Sequence, residues 1–63
     1  MTVLREIGKF LRDTGMAPTR FGREAVRDPR LVLDMRNGRE PTLRMAQRIE
    51  HFMNIRRNGL QSQ

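Results

Sequence analysis

The chain has 63 residues, with 13 basic and 7 acidic side chains and a formal net charge of +6. That length bounds it to one domain with a small core, and the absence of cysteine excludes a disulfide staple or a thiolate metal site. The basic excess suits a nucleic acid, an anionic membrane or an acidic protein. No apolar run reaches the length of a membrane span and no apolar secretory core is present, so a cytoplasmic protein with no membrane partner is expected.

The cations are almost all arginine: Lys9 is the only lysine. Guanidinium forks suit phosphates and guanine edges, although a GC-rich genome would give the same bias. His51 has no carboxylate partners in ligand spacing and reads as a surface residue, so neither a metal nor a cofactor is expected.

The first predicted element is a helix over 3–14. Leu4, Ile7 and Leu11 recur at helical spacing, flanked by Val3 and Phe10, with Thr2 as N-cap. Gly8 weakens this helix and reads as a point of close helix approach. Gly15 ends it, and Met16 folds back onto the core.

A second helix is predicted over 18–25, with Pro18 at its first position. Ala17 is a poor cap, so that end relies on Thr19 or on a bound phosphate. Phe21, Ala25 and Val26 face inward, and Gly22 permits close crossing. Asp28 as N-cap, followed by Pro29, opens a third helix over 29–37. Val32 and Met35 face inward, and Asn37-Gly38 closes the helix. Thr42 caps a fourth helix over 43–57, with Leu43, Ala46, Ile49, Phe52 and Met53 as its apolar stripe and Asn58-Gly59 as its stop. No segment alternates like a strand. The expected fold is all-α: a compact four-helix domain over 1–58, with a flexible tail over 59–63.

Six positions then fall into one register: Phe21, the small residue Gly22, Asp28 six residues later, Val32, Met35 and Gly38, followed by Pro41. This segment, 18–41, resembles the Cro and phage-repressor type of helix-turn-helix DNA-binding domain. The family places a small residue in the middle of the first motif helix, a cap at the start of the recognition helix and a glycine at its end. Two departures stand out. Val26 occupies a turn position that carries glycine in the family, and a β-branched residue disfavours positive φ. The third helix, with Leu31, Val32, Leu33 and Met35, is more apolar than a recognition helix normally is.

The resemblance implies roles for the polar residues around that helix. Arg30 stands where family members contact base edges, and Leu31 could meet a thymine methyl group or a protein partner. Asp34 either accepts from a cytosine amino group or orients Arg30 across one helical turn, the pairing being the simpler reading. Thr19, Arg20, Arg27, Arg36 and Arg39 are the expected phosphate contacts. Arg44 and Arg48 extend the basic surface.

No catalytic constellation is found. The acids are scattered among arginines, the single serine is Ser62, and the glycines match no phosphate loop. The leading expectation is a sequence-specific DNA-binding transcriptional regulator, acting on double-stranded DNA as a homodimer. The alternative is a protein-binding adaptor or anti-activator that keeps the helix-turn-helix frame, with Leu31 and Leu33 as anchors. A nucleoid or RNA-binding protein with little sequence preference is a third.

Overall fold

The computed structural model describes the backbone of residues 3–61 and the side chains of residues 3–57. Four helices follow in order: α1 (Val3–Thr14), α2 (Pro18–Val26), α3 (Leu31–Arg36) and α4 (Leu43–Gln61). There is no strand among the described residues. The domain is all-α, as the periodicity implies. Helix α2 packs on both α3 and α4, and α1 packs on α3.

The core is assembled from one stripe per helix. Ile7, Phe10 and Leu11 come from α1, and Phe21 and Ala25 from α2. Leu31, Val32 and Met35 come from α3, Ile49 and Met53 from α4, and Met16 folds in from the first loop. At its centre three rings from three helices meet, Phe52 edge-on to both of the others and Phe10 tilted against Phe21. Phe21 lies 5.6 Å from Phe10 and 5.4 Å from Phe52, and Phe10 lies 6.2 Å from Phe52. These are favourable aromatic geometries, and they tie α1, α2 and α4 together in a domain too small for a second core.

The helix ends follow local chemistry. Gly15 takes a left-handed φ of 73° and stops α1, and its N–H bonds the Leu11 carbonyl at 2.9 Å. The Thr42 hydroxyl accepts the Met45 N–H at 3.2 Å and so caps α4. The expected cap at Thr2 lies outside the described residues.

Several expectations need correction. Leu43 is 77% exposed and not part of the core. It lies six residues before Ile49, about 120° around the helix from it. The helical backbone also runs through Asn58-Gly59 to Gln61, across the expected boundary between domain and tail. Asn and Gly cost a helix at most about 1 kcal/mol each, which weakens the helix without forbidding it. Residues 62–63 of the expected tail lie outside the description.

Gly8 and Gly22 prove to be opposites. A Cβ at Gly8 would meet nothing within 4 Å, so no helix approaches closely there. A Cβ at Gly22 would collide with the Asp28 carbonyl oxygen and sit 3.1 Å from the Leu31 Cβ. The two glycines should therefore respond oppositely to alanine. Gly8→Ala should raise the unfolding free energy by about 0.5–1 kcal/mol. Gly22→Ala should lower it by about 1–3 kcal/mol, since backbone must move. Urea unfolding followed by helical circular dichroism measures both, and a stabilising Gly22→Ala would remove the crossing constraint.

Candidate nucleic-acid interface

The turn between α2 and α3 sets the pose of α3. Helix α2 extends to Val26, one residue beyond expectation, and the left-handed residue is Arg27, at φ 60° and ψ 32°. The Val26 difficulty thus dissolves: Val26 stays helical, and its neighbour takes the positive φ. The Arg27 N–H bonds the Arg23 carbonyl at 2.9 Å, a left-handed helix cap. The next N–H, of Asp28, reaches back to the Gly22 carbonyl at 3.0 Å.

Asp28 then opens the second motif helix, though not as a simple N-cap. Its Oδ1 accepts the Arg30 N–H at 3.1 Å, and its carbonyl accepts the Leu31 N–H at 3.1 Å. Pro29 and Arg30 therefore form a tight turn, and the α-helix proper begins at Leu31 and ends at Arg36, shorter than the expected 29–37. At the far end Asn37 keeps a negative φ of −92°, and Gly38 alone takes the left-handed region, at 109°.

This frame sorts the apolar residues of α3. Leu31 is fully buried, with its Cβ against the space that Gly22 leaves. It is therefore unavailable to a thymine methyl group or to a partner's groove. Leu33 is the outward residue, 53% exposed. The phase was ambiguous in the sequence because four of five consecutive residues are apolar, and only the Gly22 gap decides it.

The polar residues around α3 fall into two groups. Arg27, Arg30 and Arg36 are exposed, and among the described residues none of their guanidinium groups makes a hydrogen bond or a salt bridge, although the charge of Arg30 reaches Asp28. Arg39 and Arg20 are engaged. The Arg39 Nη1 donates to Asp28 Oδ2 at 2.8 Å and to Asp34 Oδ2 at 3.2 Å. Its Nη2 lies 3.8 Å from the Met45 sulfur on α4. The expected pairing of Asp34 with Arg30 is not formed, because Arg39 takes Asp34 instead. The Arg20 Nε donates to Glu24 Oε2 at 2.6 Å, one helical turn along. Arg39 is thus held inside the motif and Arg20 along α2, where both were expected on phosphate.

Thr19 is exposed in the first turn of α2, where Ala17 provides no side-chain cap. Pro18 carries no N–H and the Phe21 N–H already bonds the Ala17 carbonyl, so the N–H groups of Thr19 and Arg20 are the ones left for a ligand at that end. Arg44, Arg48 and His51 are exposed on α4. Among the described residues no group of His, Cys, Asp or Glu is placed to hold a metal ion, and no helix is long and apolar enough to cross a membrane.

The ion pairs leave an electrostatic signature. The Arg39 hydrogen bond, and then the Arg30 N–H, hold the Asp28 carboxyl below its usual range. The same hydrogen bond with Asp28 holds Arg39 above its own. Glu24 is lowered by its hydrogen bond from Arg20.

No family model, curated protein or solved structure matches this chain.

One consequence is a pH dependence of folding. A carboxylate with a depressed folded pKa contributes stability above its unfolded value and loses it as pH falls through the folded one. Stability should hold at neutral pH and decline below the ordinary aspartate range. Asp28→Asn should lower stability at neutral pH and flatten that acid limb. Urea midpoints recorded from neutral pH into strong acid measure this, and an acid limb unchanged by Asp28→Asn would exclude Asp28 as its source.

Proposed function

We propose that this chain is a small sequence-specific DNA-binding transcriptional regulator of the Cro and phage-repressor type, with α3 entering the major groove. One observation carries the reading. A short helix, seated on α2 through Gly22, presents Leu33 and Arg36 outward with Arg30 just before it, and neither arginine makes a side-chain hydrogen bond or salt bridge among the described residues. Arg30, beside the N-terminus of α3, is the residue assigned to a guanine edge. Arg27 and Arg36, at opposite ends of the element, are assigned to phosphates, together with Thr19 at the open start of α2. Leu33 replaces Leu31 as the apolar contact for a thymine methyl group. A single module of this size makes a small interface, so specific binding calls for a homodimer on half-sites about 10 bp apart or a multiple of that.

Arg27 adds a second line of support. A non-glycine residue in the left-handed region costs roughly 1–2 kcal/mol, and glycine at the same place would not. A strained backbone that carries an unpaired cation fits a site where the side chain serves a ligand.

The exposure of Leu33 favours one alternative, a protein-binding adaptor with Leu33 as its anchor. The two readings separate in a gel shift at physiological salt. DNA retardation with a sequence preference supports the first. No retardation, with a co-purifying protein that Leu33→Asp abolishes, would replace it with the second. Equal affinity for unrelated duplexes would leave a nucleoid-type binder.

Within the DNA reading, single substitutions should act differently. Arg27→Ala and Arg36→Ala should each reduce the salt slope of affinity by about one unit. Arg30→Ala should remove about 1–3 kcal/mol of discrimination at one base pair. Arg27→Gly should reduce the salt slope in the same way while raising folding stability by about 1 kcal/mol. A salt titration and a melt of the same variant test this, and a slope unchanged by Arg27→Gly would remove Arg27 from the phosphate set.

A further inference from the structure

Asp28 and Asp34 are both bound by Arg39, but their carboxylates differ in one respect. Asp28 uses both oxygens: Oδ1 accepts the Arg30 N–H and Oδ2 accepts Arg39. Asp34 uses only Oδ2, at 3.2 Å from Arg39, and its Oδ1 has no hydrogen-bond partner among the described residues. The Asp34 side chain is one-third exposed, at 33%, and lies on α3 four residues after Arg30, which immediately precedes that helix. Arg39 is itself fixed from several sides. Its N–H bonds the Asp34 carbonyl at 2.9 Å, and its guanidinium spans Asp28, Asp34 and Met45.

A bare carboxylate beside a phosphate backbone is repelled. A carboxylate paired with a guanidinium carries little net charge and still offers a lone pair in a fixed direction. We propose that Arg39 is a positioning residue, which neutralises and aims the Asp34 carboxylate so that its free oxygen accepts a hydrogen bond from a cytosine amino group. Cytosine is favoured over adenine on chemical grounds. In the major groove the adenine amino group is flanked by two acceptors, its own N7 and the paired thymine O4, which repel a carboxylate, whereas the cytosine amino group is flanked by one, the paired guanine O6. Arg30, which does not pair with Asp34, is then a donor for guanine at the start of the same element. The two side chains make a paired donor and acceptor suited to a G·C-containing half-site.

The inference rests on the DNA-binding reading, and selection of bound duplexes from random DNA by the full chain tests the two separately. Wild type should return a consensus with cytosine at one position of each half-site. Asp34→Asn should lower the preference for that cytosine about tenfold and leave the other positions unchanged. Arg39→Gln should lose the same preference while its salt slope stays within about half a unit of wild type. Arg39→Lys keeps a charge with three donors and should retain the preference. A slope reduced by about one unit in Arg39→Gln, with the cytosine preference intact, would make Arg39 a phosphate ligand and overturn the inference. If Arg39→Gln loses its helical circular dichroism, Asp34→Asn decides alone. A wild-type consensus that survives Asp34→Asn sinks this inference only, and a wild type that binds no duplex at physiological salt sinks both readings.

Discussion

The structure depends on one close approach, the Asp28 carbonyl and Leu31 against the backbone of Gly22. Everything at the motif follows from it. The Asp28 N–H can reach the Gly22 carbonyl only if nothing stands between them. That bond closes the turn, Asp28 Oδ1 then holds the Arg30 N–H, and α3 starts one residue later. Leu31 fills the adjoining space, which turns Leu33 outward and fixes the phase of the whole helix. A six-residue helix has little stability of its own. It is ordered here because its start is bonded to α2 and three of its side chains lie in the core.

This dependence explains what the sequence could and could not show. The spacing of Phe21, Gly22, Asp28, Val32, Met35 and Gly38 was legible because each residue type answers a local requirement: a ring for the core, a gap for the crossing, a carboxylate for the turn, a glycine for positive φ. The burial of Leu31 was not legible, since periodicity alone cannot order a run of apolar residues that exceeds one face. Gly8 misled because a helical glycine signals close approach and mere tolerance in the same way. Only the neighbouring atoms tell them apart. Leu43 misled because it follows a cap directly and sits beyond the edge of the packed stripe.

The charges show a similar division. The Arg20–Glu24 pair follows one helical turn but was not singled out, since Arg20 was expected on phosphate, and pairing across elements is a tertiary fact. Arg39 lies eleven residues from Asp28, after a turn whose course depends on Gly38, and no sequence period connects them. The same distance in sequence made Arg39 look like a free clamp. Exposed ion pairs of this kind contribute little to stability singly. Their larger effect here is to separate the arginines into those that brace the motif and those left open.

That separation bears directly on the ligand. Arg27, Arg30 and Arg36 make no salt bridge around α3, while Asp28 and Asp34 are taken by Arg39. If the basic excess served only solubility, nothing would require the acids to be drawn off from one helix face. Nor would the backbone need to carry an arginine in a left-handed turn where glycine is easier. The left-handed Arg27 costs stability at the same place, and an anionic ligand laid across α3, as proposed, would account for both features. An apolar partner for Leu33 would account for neither.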